Sequence, residues 1–229
     1  MNVALLSYPV PDELLLPRLP PGLTLDCLAD RAFASLVAFD FVETRVGGVP
    51  WPGFTRFPEV NLRFYVRDGD RRGVVFIAEQ VPSRIVTVMA RLLYNEPYRV
   101  AKLRSTTGLE PGRIRVSHEF AWGGRRQRIA VGARRPAEPA PETGPTHFFK
   151  EHAWGYGTDR RGGSLRYAVE HPPWRVYPEA AALVDLDFGR VYGAEWGVLT
   201  GRAPEHVALA EGSAVAVFRG ERLRGGQPT

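Results

Sequence analysis

Apolar and polar positions along this chain alternate with a period of two more often than they recur at helical spacing, and Gly and Pro break the pattern into short segments. The spacing predicts strands over Ala32 to Phe41, Glu59 to Arg67, Val74 to Val81, Arg113 to Ala121, Arg128 to Arg134, Ser164 to Glu170 and Ala214 to Arg219. Turn residues such as Asp68-Gly69 and Gly123-Gly124 bound these segments. One helix is expected after Ser83, because Ile85, Val88, Met89, Leu92 and Leu93 share a side before Asn95 and Pro97 end the pattern. Shorter helical turns are expected at Pro11 to Leu16, Phe148 to Glu151 and Pro204 to Ala210. Four prolines between Arg134 and Pro145 predict a loop crossing between two halves of one sheet system. The fold class is therefore mainly β, with a few helices.

A length of 229 residues fits one domain, 1–229, with a frayed tail at about 220–229. The lone Cys27 excludes an intramolecular disulfide and any multi-cysteine zinc site. Early apolar runs are interrupted by Pro9, Pro11, Asp12 and Glu13, leaving neither a secretory core nor a membrane span, so a cytoplasmic protein is expected. A net charge of +5 suits an anionic partner. Of the 30 basic residues, however, only Lys102 and Lys150 are lysines, which limits amine chemistry to two side chains besides the N-terminus.

Alternation places Glu59, Asn61, Arg63, Tyr65 and Arg67 on one strand face and Val60, Leu62, Phe64 and Val66 on the other. The polar face is either a solvated outer surface or a cavity lining in which Glu59 and Arg63 reach a ligand. An inward Glu59 needs Arg63 or another arginine within hydrogen-bonding reach, because an unpaired buried carboxylate stays protonated. Glu79, in an otherwise apolar segment, is either a solvated strand end or a carboxylate held inside. His152, Trp154 and Tyr156 align at period two, as one cavity wall or as core aromatics with a hydrogen-bonded histidine; bonded to a carboxylate, His152 would reach Glu59 or Glu79. No metal-ligand spacing, phosphate loop, nucleophile elbow or dinucleotide fingerprint is present, and neither metal nor cofactor is expected. Arg125, Arg126, Arg128, Arg134 and Arg135 flank one strand as a basic ridge, but no aromatic ladder accompanies them, so nucleic acid is not the expected partner.

The segments Pro58 to Arg67, Gly73 to Phe76, Ala90 to Tyr98, Glu151 to Tyr156 and Glu170 to Trp174 together resemble the YqjF-like family of uncharacterised bacterial proteins, from about Leu5 to Phe218. That family is similar to acetoacetate decarboxylases, and the resemblance implies their conical antiparallel β-barrel around a central cavity, with peripheral helices. Those decarboxylases carry two lysines after a helix, one forming an imine and the other lowering its pKa. Arg91, Tyr94 and Pro97 match the family pattern, while Tyr98 and Arg99 stand where the lysines would be, and neither side chain forms an imine. In an extended segment Lys102 shares a face with Tyr98 but lies roughly 13 Å along the chain. Lys150 remains an alternative amine. Glu59 aligns with the decarboxylase carboxylate that assists proton transfer.

The leading expectation is a site for a small organic acid or carbonyl compound. Arg63, Arg91 or Arg99 would grip a carboxylate, Glu59 would act as acid or base, and Asn61, Glu79, Tyr94, Tyr98, His152, Trp154 and Tyr156 would line the site. A non-catalytic ligand-sensing module on the same cavity is the second reading, and nucleic-acid binding through the arginine hairpin is the third. A homo-oligomer is among the possibilities.

Overall fold

The long strands form where the predicted alternation is strongest, and turns with backbone too tight for most side chains connect them. The computed structural model describes residues 2–42, 45–46, 49–50, 56–85, 87, 97–213, 215–218 and 220–223. Its principal strands are β1 (Asn2–Pro9), β2 (Phe33–Val42), β3 (Arg56–Asp68), β4 (Arg71–Val81), β5 (Tyr98–Val100), β6 (Lys102–Glu110), β7 (Arg113–Trp122), β8 (Arg125–Arg134), β9 (Trp154–Thr158), β10 (Ser164–Glu170), β11 (Ala181–Asp185) and β12 (His206–Glu211). Short helices α1 (Asp12–Leu15), α2 (Gly144–Lys150) and α3 (Phe188–Tyr192) accompany them. Gly123 and Gly124, both at positive φ, make the two-residue turn between β7 and β8.

The larger sheet runs Val176–Tyr177, β12, β1, β2, β3, β4, β9, β10, Ala216–Val217. The far edge of β4 is shared by two parallel partners, β9 at Gly73 to Val75 and β5 at Glu79 to Val81. A second, four-stranded sheet runs β11, β8, β7, β6. Leu36, Leu62 and Phe64 of the larger sheet and Ile114, Val116, Ile129 and Val131 of the smaller belong to one apolar core. On the other face of the larger sheet, Val37, Tyr65 and Val74 pack with Phe148 and Phe149 of α2 in a second cluster. Strand β3 is consequently buried on both faces.

The expected closed barrel is not what forms: among the described residues neither sheet closes on itself. Strands β6–β8 and β11 pair among themselves and face the larger sheet instead of extending it. The helical turn expected at Pro204 to Ala210 is strand β12, which pairs residue for residue with β1. Inter-strand hydrogen bonds override the local pattern there. Helix α2 starts earlier than expected, with Pro145 in its first turn, where no backbone donor is needed. Of the helix expected from Ser83 to Asn95, only Arg84, Ile85 and Thr87 are described as helical, and Arg91 and Tyr94 lie outside the described residues. Among the described residues no helix is long and apolar enough to cross a membrane.

The junction of β4 with β9 depends on Gly73, where an added Cβ would sit 2.5 Å from the Trp154 carbonyl oxygen and 2.5 Å from the Tyr156 ring. Gly73→Ala is expected to destabilise the protein by about 1–3 kcal/mol, because the backbone oxygen cannot rotate away. Gly108→Ala, at a position with open space, leaves stability nearly unchanged. Thermal denaturation of the two variants checks the contrast.

Candidate functional site

Strand pairing assembles a polar row on the face of β3 turned toward α2. Asn61 lies opposite Glu79 on β4, and Glu79 lies alongside Tyr98 on β5, so three strands contribute side chains to one line. Glu59 and Asn61 are 1% and 2% exposed, which excludes the solvated-surface reading of this face. Asn61 Nδ2 donates to Glu59 Oε1 at 2.9 Å, and the Tyr98 hydroxyl donates to Glu59 Oε2 at 3.2 Å. Burial pushes the Glu59 carboxyl up to about 7, against the opposing pull of both hydrogen bonds and of the Arg63 charge. Near neutral pH the group therefore holds and releases a proton with equal ease. Asn61 Oδ1 is buried and receives no donor among the described residues. Glu79 is also buried, at 2% exposure.

The arginine expected on Glu59 is engaged elsewhere. Arg63 Nη2 donates to the Phe149 carbonyl at 3.1 Å, and Arg72 Nη2 donates to the Phe148 carbonyl at 3.4 Å. Two guanidinium groups thus satisfy the free carbonyls at the C-terminal end of α2, where positive charge is favoured. Arg72 is itself held by buried Asp26 at 2.6 Å, and Arg67 by the same carboxylate at 2.7 Å. Helix α2 is pressed onto Tyr65, whose ring lies 5.4 Å from Phe148 and 5.5 Å from Phe149. The Tyr65 hydroxyl donates to Ser35 at 2.6 Å.

Beyond α2, the His152 ring packs 4.8 Å from Tyr65, and neither ring nitrogen is hydrogen-bonded to Glu59 or Glu79. Its pKa is held well below the usual 6.5 by burial, with Arg63, Arg72 and His147 repelling a proton, so the imidazole is neutral at physiological pH. It lines a cleft of about 740 Å³ between residues 151–153, 169–172 and 215–216. Lys150 is buried in α2 against the Glu151 carboxylate, and burial lowers its amine pKa.

Other expected site residues are placed apart. The strand begins at Trp154, and the irregular segment before it turns His152 to the opposite face; Tyr156 and Trp154 pack on the main core instead of sharing a wall with His152. Arg99 follows Tyr98 on β5 and so faces away from it, donating to the Val191 carbonyl at 2.8 Å. Lys102 is exposed at the start of β6. In the arginine hairpin, Arg125 pairs with Asp185, Arg126 and Arg128 with Glu119, and Arg134 with Glu138 and Glu179, which neutralises most of the ridge. No cluster of three or more potential metal ligands occurs among the described residues. The aromatic run around Lys150 pointed to an inward amine there, whereas the Asp26 brace and the cleft at His171 were not anticipated.

Residues 1–214 match DUF2071, a family described as an uncharacterized conserved protein. The uncharacterized protein YqjF of Bacillus subtilis (strain 168) is 30% identical over 105 residues, covering 45% of this chain and 43% of that relative, so the match spans less than half of its length. An acetoacetate decarboxylase-like enzyme from Sphingomonas wittichii RW1 superposes with a TM-score of 0.65 at 13% identity, over 97% of this chain and 90% of its own. The enduracididine biosynthesis enzyme MppR complexed with pyruvate superposes with a TM-score of 0.60 at 18% identity, over 99% and 87%. The shared property is the fold.

Because the folded state holds the Glu59 proton more tightly than an unfolded chain, whose carboxyl titrates near 4.5, this group's contribution to stability is full below about pH 4.5. It declines as pH rises and is lost above about pH 7. Glu59→Gln removes that dependence. Its stability relative to wild type is expected to rise by on the order of 3 kcal/mol across this interval, as measured by denaturant unfolding at both ends.

Proposed function

The chain belongs to the DUF2071 family, and we propose that it binds a small organic acid or carbonyl compound at the buried row of Glu59, Asn61 and Tyr98, with Glu59 taking or giving a proton. The observation that carries this reading is the Glu59 carboxyl itself, 1% exposed, doubly hydrogen-bonded and pushed up to about 7. A carboxyl of that kind costs stability, and such groups concentrate where a proton must be moved. The unpaired Asn61 Oδ1 offers an acceptor for a ligand hydroxyl or enol. That MppR, a fold neighbour, is complexed with pyruvate supports the ligand class.

Imine formation is not part of the proposal. Tyr98 places a phenol beside Glu59 and Arg99 turns to the opposite face, so neither supplies an amine to the row. The same substitution favours a second reading, in which the row senses a ligand without turning it over.

Isothermal calorimetry with pyruvate and acetoacetate tests the site. Glu59→Gln is expected to weaken binding about tenfold or more, and Tyr98→Phe by a smaller factor, through the loss of one hydrogen bond. Binding untouched by both substitutions would place the ligand elsewhere. Borohydride treatment in the presence of acetoacetate is expected to leave the intact mass unchanged. A reduced adduct on Lys150 would instead identify a relocated amine nucleophile.

A further inference from the structure

A strand at the edge of a sheet exposes unpaired backbone groups, and proteins guard such edges by keeping them short, bulged, proline-bearing or charged. The larger sheet ends on the two-residue strands Val176–Tyr177 and Ala216–Val217, and the smaller sheet ends on one side at the five-residue β11. Its other end is β6, nine residues long, free of proline and paired with β7 in unbroken register. Among the described residues no strand pairs with the far edge of β6.

The faces of β6 show what its edge could accept. Lys102, Arg104, Thr106, Gly108 and Glu110 share the outer face, and all are exposed. Glu119, opposite Arg104 on β7, is taken by Arg126 and Arg128, and among the described residues Lys102, Arg104 and Glu110 form no ion pair. On the inner face Leu103 joins the main core and Ser105 bonds to Asp40 of β2, so the larger sheet covers the first half of the strand. Thr107 and Leu109 run on beyond that cover, and Leu109 is 63% exposed. Cations thus stand at one end of the edge, a carboxylate at the other, and small polar residues between them.

We infer that the protein self-associates as a twofold dimer in which β6 pairs antiparallel with β6 of a second copy, about an axis at Thr106. A second copy offers the same charges in the reverse order, which is the order this edge requires. A twofold axis perpendicular to the sheet keeps outer face with outer face. Centred on Thr106, all nine residues of each strand overlap, which no other centre achieves. Lys102 then lies opposite Glu110 of the second copy, twice per dimer, with Arg104 diagonal to the same carboxylate. Leu109 comes opposite the second copy's Leu103, at the end where that copy's larger sheet supplies the missing cover. Centred on Ser105, Lys102 would meet Gly108 instead; centred on Thr107, Leu109 would meet Ser105. The pairing adds about eight to ten backbone hydrogen bonds and joins the two four-stranded sheets into one. It is independent of the ligand reading, because Glu59, Asn61 and Tyr98 lie on other strands.

Sedimentation velocity of the full chain, at low ionic strength where exposed charges are least screened, tests the inference. Wild type is expected to pass from monomer to dimer with a Kd on the order of 10 µM, as suits a small interface. Lys102→Glu and Glu110→Lys each set like charges opposite one another and are expected to weaken self-association about tenfold or more. An equimolar mixture of the two variants, and the double variant carrying both, restore opposite charges and are expected to recover the wild-type affinity within about threefold. Crosslinking in a Cys27→Ser background reads the register. Thr106→Cys sets two thiols across the axis with Cα atoms about 4.5–5.5 Å apart, and diamide oxidation is expected to give a covalent dimer. Gly108→Cys sets them roughly 13 Å apart and is expected to give none. A monomer at every concentration, a dimer indifferent to both charge reversals or not recovered by mixing them, or crosslinking at 108 in preference to 106 would overturn the proposal.

Discussion

A strand covered on both faces must find partners inside the protein for every polar side chain it carries, and β3 is such a strand. Its apolar face presents no difficulty, because Val60, Leu62, Phe64 and Val66 simply join the main core. Its other face carries Glu59, Asn61, Arg63 and Tyr65, and each is answered differently. Tyr65 is satisfied through Ser35, Asn61 is spent on Glu59, and Arg63 reaches across to the end of α2. Two neutral hydrogen bonds and a distant guanidinium do not offset the desolvation of the Glu59 carboxylate. The direction of its titration follows from that inequality.

The same constraint positions the rest of the second face. Arg63 and Arg72 bind the last carbonyls of α2, Asp26 fixes Arg72 and Arg67, and the helix in turn shields Tyr65 and sets where the chain emerges at His152. One chain of charge-assisted contacts therefore links the polar strand to the wall of the cleft.

Much of the fold was legible in the sequence because half-buried strands advertise themselves by alternation. Ser164–Glu170 coincides with its expected limits, and the long strands at 33–42, 56–68, 71–81 and 113–122 differ only by ragged ends. Strand β1 escaped because it is buried on both faces and reads as an unbroken apolar run. Strand β12 escaped because its pairing with β1, some two hundred residues away in sequence, leaves no local mark. The membership of β6–β8 and β11 in a separate sheet is equally non-local. Family resemblance located the fold correctly but implied a closure that the strand order of the described residues does not contain. At the site, alternation placed Glu59 and Asn61 together, and β-pairing added Glu79 and Tyr98. It could not show that Arg63 would choose a backbone carbonyl 86 positions away, nor that a strand starting at Trp154 would part it from His152. The arginine ridge lost its electrostatic character through cross-strand and loop carboxylates that a linear reading does not pair.

The central claim is that the fold holds one carboxyl at the point of half-protonation near neutrality. Carbon-13 NMR of the glutamate side-chain carboxyls, with Glu59→Gln assigning the resonance, measures this directly. The account predicts a Glu59 midpoint near 7, moving higher in Tyr98→Phe as a hydrogen bond favouring the charged form is removed. A midpoint near the ordinary 4.5, unmoved by that substitution, would contradict it.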